Sequence, residues 1–103
     1  MSVPKVTVRL TSRAERDFRQ ILLYTRRIWG ERQRTTYRQE IGQALRQLRD
    51  HPEIGQSEDE LFIGCRGLRV EQHILYSYQP HPAEIVVLRI LHVHQDPIGK
   101  VNG

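Results

Sequence analysis

Two amphipathic stripes separated by a single glycine constrain this chain more than any other feature. Phe18, Ile21, Leu22, Thr25, Ile28 and Trp29 recur at intervals of three and four, and so do Tyr37, Ile41, Ala44, Leu45 and Leu48. That is the period of helices that bury one face. The spacing predicts a helix from Ser12 to Trp29 and a second from Glu31 to Asp50. Ser12-Arg13-Ala14-Glu15 has the form of a capping box, with the serine hydroxyl accepting from the N3 amide. Gly30 is expected to stop the first helix in the left-handed conformation, and His51-Pro52 to end the second. A link this short folds the pair into an antiparallel hairpin. Gly42, an interior helix glycine that costs about 1 kcal/mol against alanine, is expected to let the helices approach closely.

The rest of the chain reads as strands. Lys5 to Leu10 alternates, with Val6, Val8 and Leu10 on one face. Residues Pro52 to Gly64 read as a loop that carries Glu53, Glu58, Asp59 and Glu60. Beyond it, Cys65 to Val70, His73 to Gln79 and Glu84 to His92 are separated by turn signals near Glu71 and at Pro80-His81-Pro82, the pattern of an antiparallel meander. The expected order is β-α-α-β-β-β, an α+β domain with a helical hairpin packed on a small antiparallel sheet. Ile85 to Leu91 is apolar on both faces, so it is expected to be central and covered on both sides. The helices cover one side. The other requires the Gln95 to Gly103 tail or a partner.

A chain of 103 residues with 38% hydrophobic content supports one core, hence one domain. Cys65 is alone, Met1 to Lys5 leads into no apolar secretion signal, and no apolar run approaches the roughly 20 residues of a membrane span. The expected location is the cytoplasm. Net charge is +4 and the sequence pI is about 9.7. Fourteen of the sixteen basic residues are arginines, which suits an acidic protein or a nucleic acid as partner. Arg13, Arg16, Arg19, Arg26 and Arg27 with Arg32, Arg34, Arg38, Arg46 and Arg49 make the hairpin's outer face cationic. Interleaved with Glu15, Asp17 and Glu40, they read first as a solvated face and second as a phosphate-binding one.

Chemistry-bearing constellations are sparse. His92 and His94 form at most a two-histidine half-site, without a third ligand at suitable spacing. His73 begins a strand, His51 and His81 sit beside prolines, and Cys65 reads as a small core residue. No phosphate loop, dinucleotide fingerprint or C-x-x-C is present. The residues call for no metal and no cofactor.

Taken in order, the segments resemble one family. Leu10-Thr11-Ser12-Arg13-Ala14-Glu15-Arg16-Asp17-Phe18 is similar to an L-[ST]-x-x-A-x-x-D-[LF] opening, and Ile21 to Tyr24 with Trp29-Gly30 to an I-x-x-Y-x-x-x-x-W-G helix end. His51-Pro52-Glu53-Ile54-Gly55 resembles the exit of the second helix. Gly64-Cys65-Arg66, His73 with Leu75 and Tyr76, and Arg89-Ile90-Leu91-His92 followed by Gln95-Asp96 resemble its strand motifs. The family is the ParE branch of the ParE/RelE toxin superfamily, and the resemblance covers nearly the whole chain. It implies the toxin of a type II toxin-antitoxin system that poisons DNA gyrase by binding. It also implies neutralisation by an acidic ParD-like antitoxin in a hetero-oligomer.

Leu23, Tyr24, Arg27 and Trp29 are the candidate antitoxin contacts, and Arg66, His73, Arg89 and His92 the candidate target-binding or functional residues. The superfamily's ribosome-dependent mRNA endonucleases are the alternative, and a basic nucleic-acid-binding module is a third reading. Against the nuclease, Ile74 and Leu91 stand where its phosphate-stabilising arginine and one member of its C-terminal His/Tyr pair would fall. The nuclease loop before the second strand supplies lysines or a glutamate, whereas this one carries Glu58, Asp59 and Glu60 and no lysine, which repels an RNA backbone. No catalytic residue and no direct nucleic-acid binding are therefore expected. Gln95 departs from the arginine or methionine usual at its position.

Overall fold

A computed structural model describes residues 5–101; of the expectations above, those on Met1 to Pro4 and on Asn102 and Gly103 fall outside it. The elements are β1 (Thr7–Leu10), α1 (Ser12–Trp29), α2 (Glu31–Asp50), β2 (Gln56–Ser57), β3 (Arg66–Val70), β4 (His73–His81) and β5 (Glu84–His92). Both helices have the expected bounds. Two-residue β2 lies inside the segment expected to be a loop, and adds an edge strand by pairing with Arg66 and Gly67.

The cap of α1 is one residue earlier than the capping box implied. Thr11 is the N-cap: its Oγ1 accepts from the Ala14 amide at 3.1 Å and donates to the Leu88 carbonyl at 2.8 Å. Two cap-type residues stand side by side here, and β5 selects the one that reaches its carbonyl. Gly30 serves both helices: its amide donates to Arg26 O at 2.9 Å and its carbonyl accepts from the Arg34 amide at 3.1 Å. Its φ of 95° is positive, but a ψ of 174° makes it an extended reversal rather than the left-handed cap expected. Gly42 does not mediate helix approach. A Cβ there would meet only Arg46 of its own helix.

The sheet order is β1-β5-β4-β3-β2. β1 runs parallel to β5, with Thr7 opposite Glu84 and Leu10 opposite Val87, while the remaining pairs are antiparallel. The sheet is therefore mixed, a correction to the antiparallel one expected. The hairpin carries the chain away from β1, and the last strand returns alongside it. β5 lies between β1 and β4, an interior strand as its apolar sequence implied. Its pairing with β4 passes from Tyr76–Arg89 to Ser77–Val87 and skips Leu88, a bulge that breaks the two-residue alternation. Ile85, Val87 and Ile90 thereby all join the core beneath the helices, with Ala14, Ile21, Ile41, Ala44, Leu48 and Leu75.

The opposite face is covered by the chain itself. Leu61, Cys65 and Val101 pack with Tyr76 and Leu91, flanked by Phe62, Ile74 and Leu88. The surplus apolar face that hinted at an obligate partner is thus closed from within. No helix among the described residues is long and apolar enough to cross a membrane.

Asp17, read from its neighbours as part of a solvated face, is 9% exposed. Its carboxylate accepts from Arg89 Nε at 2.7 Å and Nη2 at 3.0 Å, and from the Ile90 amide at 3.0 Å. Arg89 also donates to the Lys100 carbonyl at 3.3 Å. Removing one partner of a buried pair leaves an uncompensated charge, which typically costs about 3–5 kcal/mol. Asp17→Ala is expected to lower stability by an amount in that range, read from the urea unfolding midpoint.

Candidate functional site

A cleft lies where the ends of α1 and β5 meet the start of β4. Its volume is about 580 Å³. Tyr24, Thr25 and Trp29 come from α1, Gln33, Thr36, Tyr37 and Glu40 from α2, Glu71, Gln72 and His73 from the β3–β4 turn and β4, and His92 from the end of β5. Four of the expected site residues, Tyr24, Trp29, His73 and His92, thus meet in one cleft, although the sequence assigned them to two separate surfaces. No lysine or arginine lines it.

Its floor is polar and fixed. Tyr37 Oη donates to the Val70 carbonyl at 3.1 Å and is in hydrogen-bond contact with His73 Nδ1. The carbonyl can only accept, so the phenol proton satisfies it and the Nδ1–H of neutral His73 donates to the phenolic oxygen. Burial first and His92 second push His73 down to about 4, against an opposing pull from Asp17. Burial, reinforced by Glu40 and Glu71 and opposed by a backbone hydrogen bond, pushes the Tyr37 phenol up to about 12. His73 and His92 are cross-strand partners with rings edge to face, 5.4 Å between centroids. His92 Nδ1 accepts from the His94 amide at 3.1 Å, and its own amide donates to Gln95 Oε1 at 2.8 Å. Gln95 therefore has a local positioning role on this strand end.

The wall that α1 contributes is aromatic and open: Tyr24 is 64% and Trp29 69% exposed. Ile28, placed with Trp29 on the buried stripe by its spacing, is likewise exposed, at 50%. Tyr24, Ile28 and Trp29 thus form an exposed apolar group near the end of α1. Leu23, at 56%, opens onto the other side of the hairpin. There it lines a groove of about 230 Å³ with Leu22, Arg19, Arg26, Arg34 and Arg38. Arg27 is exposed on the same turn.

The other expected residues lie elsewhere. Arg89 is held in the internal pair with Asp17, remote in role from a surface contact. Arg66 on β3 donates from Nη2 to the Gly55 carbonyl at 3.1 Å and buries an Nε without a partner. Gly55 itself is required there: its φ is +97°, and a Cβ would stand 2.6 Å from the Gly67 carbonyl. Ile74 and Leu91 pair across β4 and β5 and belong to the core on the far face, away from the cleft. Cys65 is fully buried, and burial pushes its thiol up to about 11, so it is no nucleophile. No group of three or more His, Cys, Asp or Glu among the described residues is placed to hold a metal ion.

Tyr37 and Glu40 were missed as site residues because the first lies on the core stripe and the second reads as a surface charge. Gln33, Thr36, Tyr37 and Glu40 nevertheless recur at three, one and three, a polar stripe beside the apolar one that marks their common face.

The solved structure "Chromosomal ParDE TA system from P. aeruginosa" superposes with a TM-score of 0.74, covering 87% of this chain and 98% of that one at 21% identity, a likeness of fold. Residues 8–97 match the family described as "ParE toxin of type II toxin-antitoxin system, parDE", and the chain belongs to that family. It is 30% identical over 84 residues to Toxin ParE1 of Caulobacter vibrioides, covering 82% of this chain and 85% of the relative. It is 33% identical over 87 residues to Toxin ParE of Escherichia coli, covering 84% of each.

The neutral His73 has a measurable consequence. A histidine whose folded value lies below its unfolded one takes up a proton on unfolding. Its contribution to stability is therefore whole above about pH 6.5 and is lost as the pH falls toward about 4. Urea midpoints of the parent chain and of His73→Gln are expected to diverge over that window, with the acid-driven loss smaller in the variant.

Proposed function

We propose that this toxin acts in the cytoplasm as one domain that binds and poisons DNA gyrase without catalysis. An acidic ParD-like antitoxin holds it inactive in a hetero-oligomer. The observation that carries the non-catalytic reading is the lining of the cleft. Ribonucleases of this fold class need cationic groups to stabilise charge on a phosphate. This cleft has no lysine or arginine, and the two positions where the nuclease pattern would supply such chemistry, Ile74 and Leu91, pack in the far core. Family membership and the resemblance to ParE supply the choice of gyrase.

Antitoxin binding is proposed along the exposed row Leu23, Tyr24, Arg27 and Trp29. The arginine-lined groove beside Leu23 suits an acidic segment, and a segment that continues over Tyr24 and Trp29 covers the rim of the cleft. Neutralisation then follows from occlusion. Direct binding of free nucleic acid by the exposed arginine face is not part of the mechanism.

The endonuclease reading keeps one observation in its favour: Tyr37, His73 and His92, residue types that serve elsewhere as general acids and bases, share the cleft. Purified toxin is expected to inhibit supercoiling by gyrase and to leave ribosome-bound message intact. His73→Ala and His92→Ala are expected to retain most of the growth arrest. Loss of an essential general acid or base would instead cost about a hundredfold to ten-thousandfold in rate. Message cleavage that disappears in either variant would establish the nuclease.

Tyr24→Ala and Trp29→Ala are each expected to weaken antitoxin binding by about 2 kcal/mol or more, as central aromatic anchors do. Titration calorimetry on the folded variants measures this. Unchanged affinity would move the antitoxin off this row.

A further inference from the structure

In a chain with fourteen arginines, this cleft is lined by no lysine or arginine and by two carboxylates, Glu40 and Glu71. Neither carboxylate takes part in an ion pair among the described residues. Arg69, two residues before Glu71, donates its Nε to the Glu71 carbonyl at 2.8 Å and lines a neighbouring groove that Glu40 and Glu71 also border, without forming an ion pair with either carboxylate. Opposite the carboxylates stand Tyr24 and Trp29, largely exposed ring systems. Aromatic faces attract cations through their quadrupole, arginine above all, and nearby carboxylates add a direct attraction. Phosphate and carboxylate ligands are repelled by the same groups.

We infer that the cleft between Tyr24, Trp29, Glu40 and Glu71 receives an arginine or lysine side chain of the toxin's protein target. The argument rests on the reading of the chain as a gyrase-directed toxin for the source of that side chain, and on the lining alone for its charge. A protein whose substrate is DNA must present clustered lysines and arginines to the phosphate backbone, so the target class is rich in the ligand the cleft selects. The acidic antitoxin is drawn to the opposite, arginine-lined groove and meets the cleft only at its aromatic rim. The fixed floor of Tyr37 and His73 contributes hydrogen-bonding atoms without mobile charge. The carboxylates' field is felt there, since both Glu40 and Glu71 raise the Tyr37 phenol.

Trp29 is the only tryptophan in the sequence, so its fluorescence reports the site directly. The probe is N-acetyl-arginine methylamide, with the citrulline counterpart as an uncharged isostere and inorganic phosphate as an anion. The intact toxin is expected to show a saturable change in Trp29 emission with the arginine compound, weakened by salt and absent with citrulline and phosphate. Glu40→Gln/Glu71→Gln is expected to weaken that binding about tenfold, the factor corresponding to about 1.4 kcal/mol of lost attraction. Equal response to citrulline, or a response to phosphate instead, overturns the assignment of charge.

A second arm identifies the source. The double variant is expected to lose growth arrest and gyrase inhibition while binding antitoxin as the parent does. If it keeps toxicity and loses neutralisation, the occupant is the antitoxin and the assignment to the target is wrong. If the parent self-associates and the arginine compound dissociates it, the occupant is a second copy, which is equally contrary. Should the parent fail to inhibit gyrase at all while the fluorescence results stand, the gyrase reading fails and the charge preference of the cleft survives.

Discussion

The buried contact between Asp17 and Arg89 joins parts of the chain that nothing else ties so directly. One carboxylate in the second turn of α1 receives two guanidinium nitrogens and a backbone amide of β5, and the same guanidinium holds the carbonyl of Lys100. Helix, interior strand and tail are thereby fixed to one another by groups whose desolvation is compensated only in this geometry. The contact lies beside the bulge at Leu88, where the ladder of β5 loses its regular alternation and a side-chain acceptor can take up the Ile90 amide. Leu91 and His92 then leave β5 toward opposite faces, one into the far core and one into the cleft.

The cleft depends on that arrangement in a second way. Tyr24 and Trp29 sit in the last turns of α1, so their position is set by how firmly the earlier turns are anchored. Thr11 holds the start of the helix to β5 and Asp17 holds its next turn, while Gly30 reverses the chain within one residue. Those constraints leave the last turn of α1 facing the polar stripe of α2 with its aromatic rings in solvent. A rigid, preformed wall of this kind loses little conformational entropy on binding.

Much of this was legible from residue order. Both helices end where the sequence places a single glycine and a His-Pro pair, because those signals act within one turn of chain. The cap was misplaced because Thr11 and Ser12 are equally able to cap, and only the carbonyl of Leu88, 77 residues away, distinguishes them. The parallel pairing of β1, the two-residue β2 and the bulge have the same cause: each is decided by a partner remote in sequence. Asp17 read as a surface charge for want of its arginine. In the candidate site, exposed aromatics and strand histidines were recognised singly, yet no local pattern could show that Tyr24 and Trp29 stand over His73 and His92. Tyr37 was concealed by its place on an apolar stripe whose other members are purely core. Arg89 was singled out from its motif, while its pairing with Asp17, 72 residues away, left no local signal, since a functional motif and a structural one look alike in one dimension.

The parallel partnership of the first and last strands bears on how the molecule comes into being. Among the described residues β1 has no sheet neighbour other than β5, so while the chain emerges from the ribosome Thr7–Leu10 lacks its strand partner until Glu84–Val87 have been made. The helical hairpin, by contrast, is complete after residue 50, and its inter-helix contacts need nothing from the later strands. His92, the last residue of β5, is also the last of the cleft's residues to be synthesised. A nascent chain therefore presents the outer face of the hairpin well before it possesses a finished cleft.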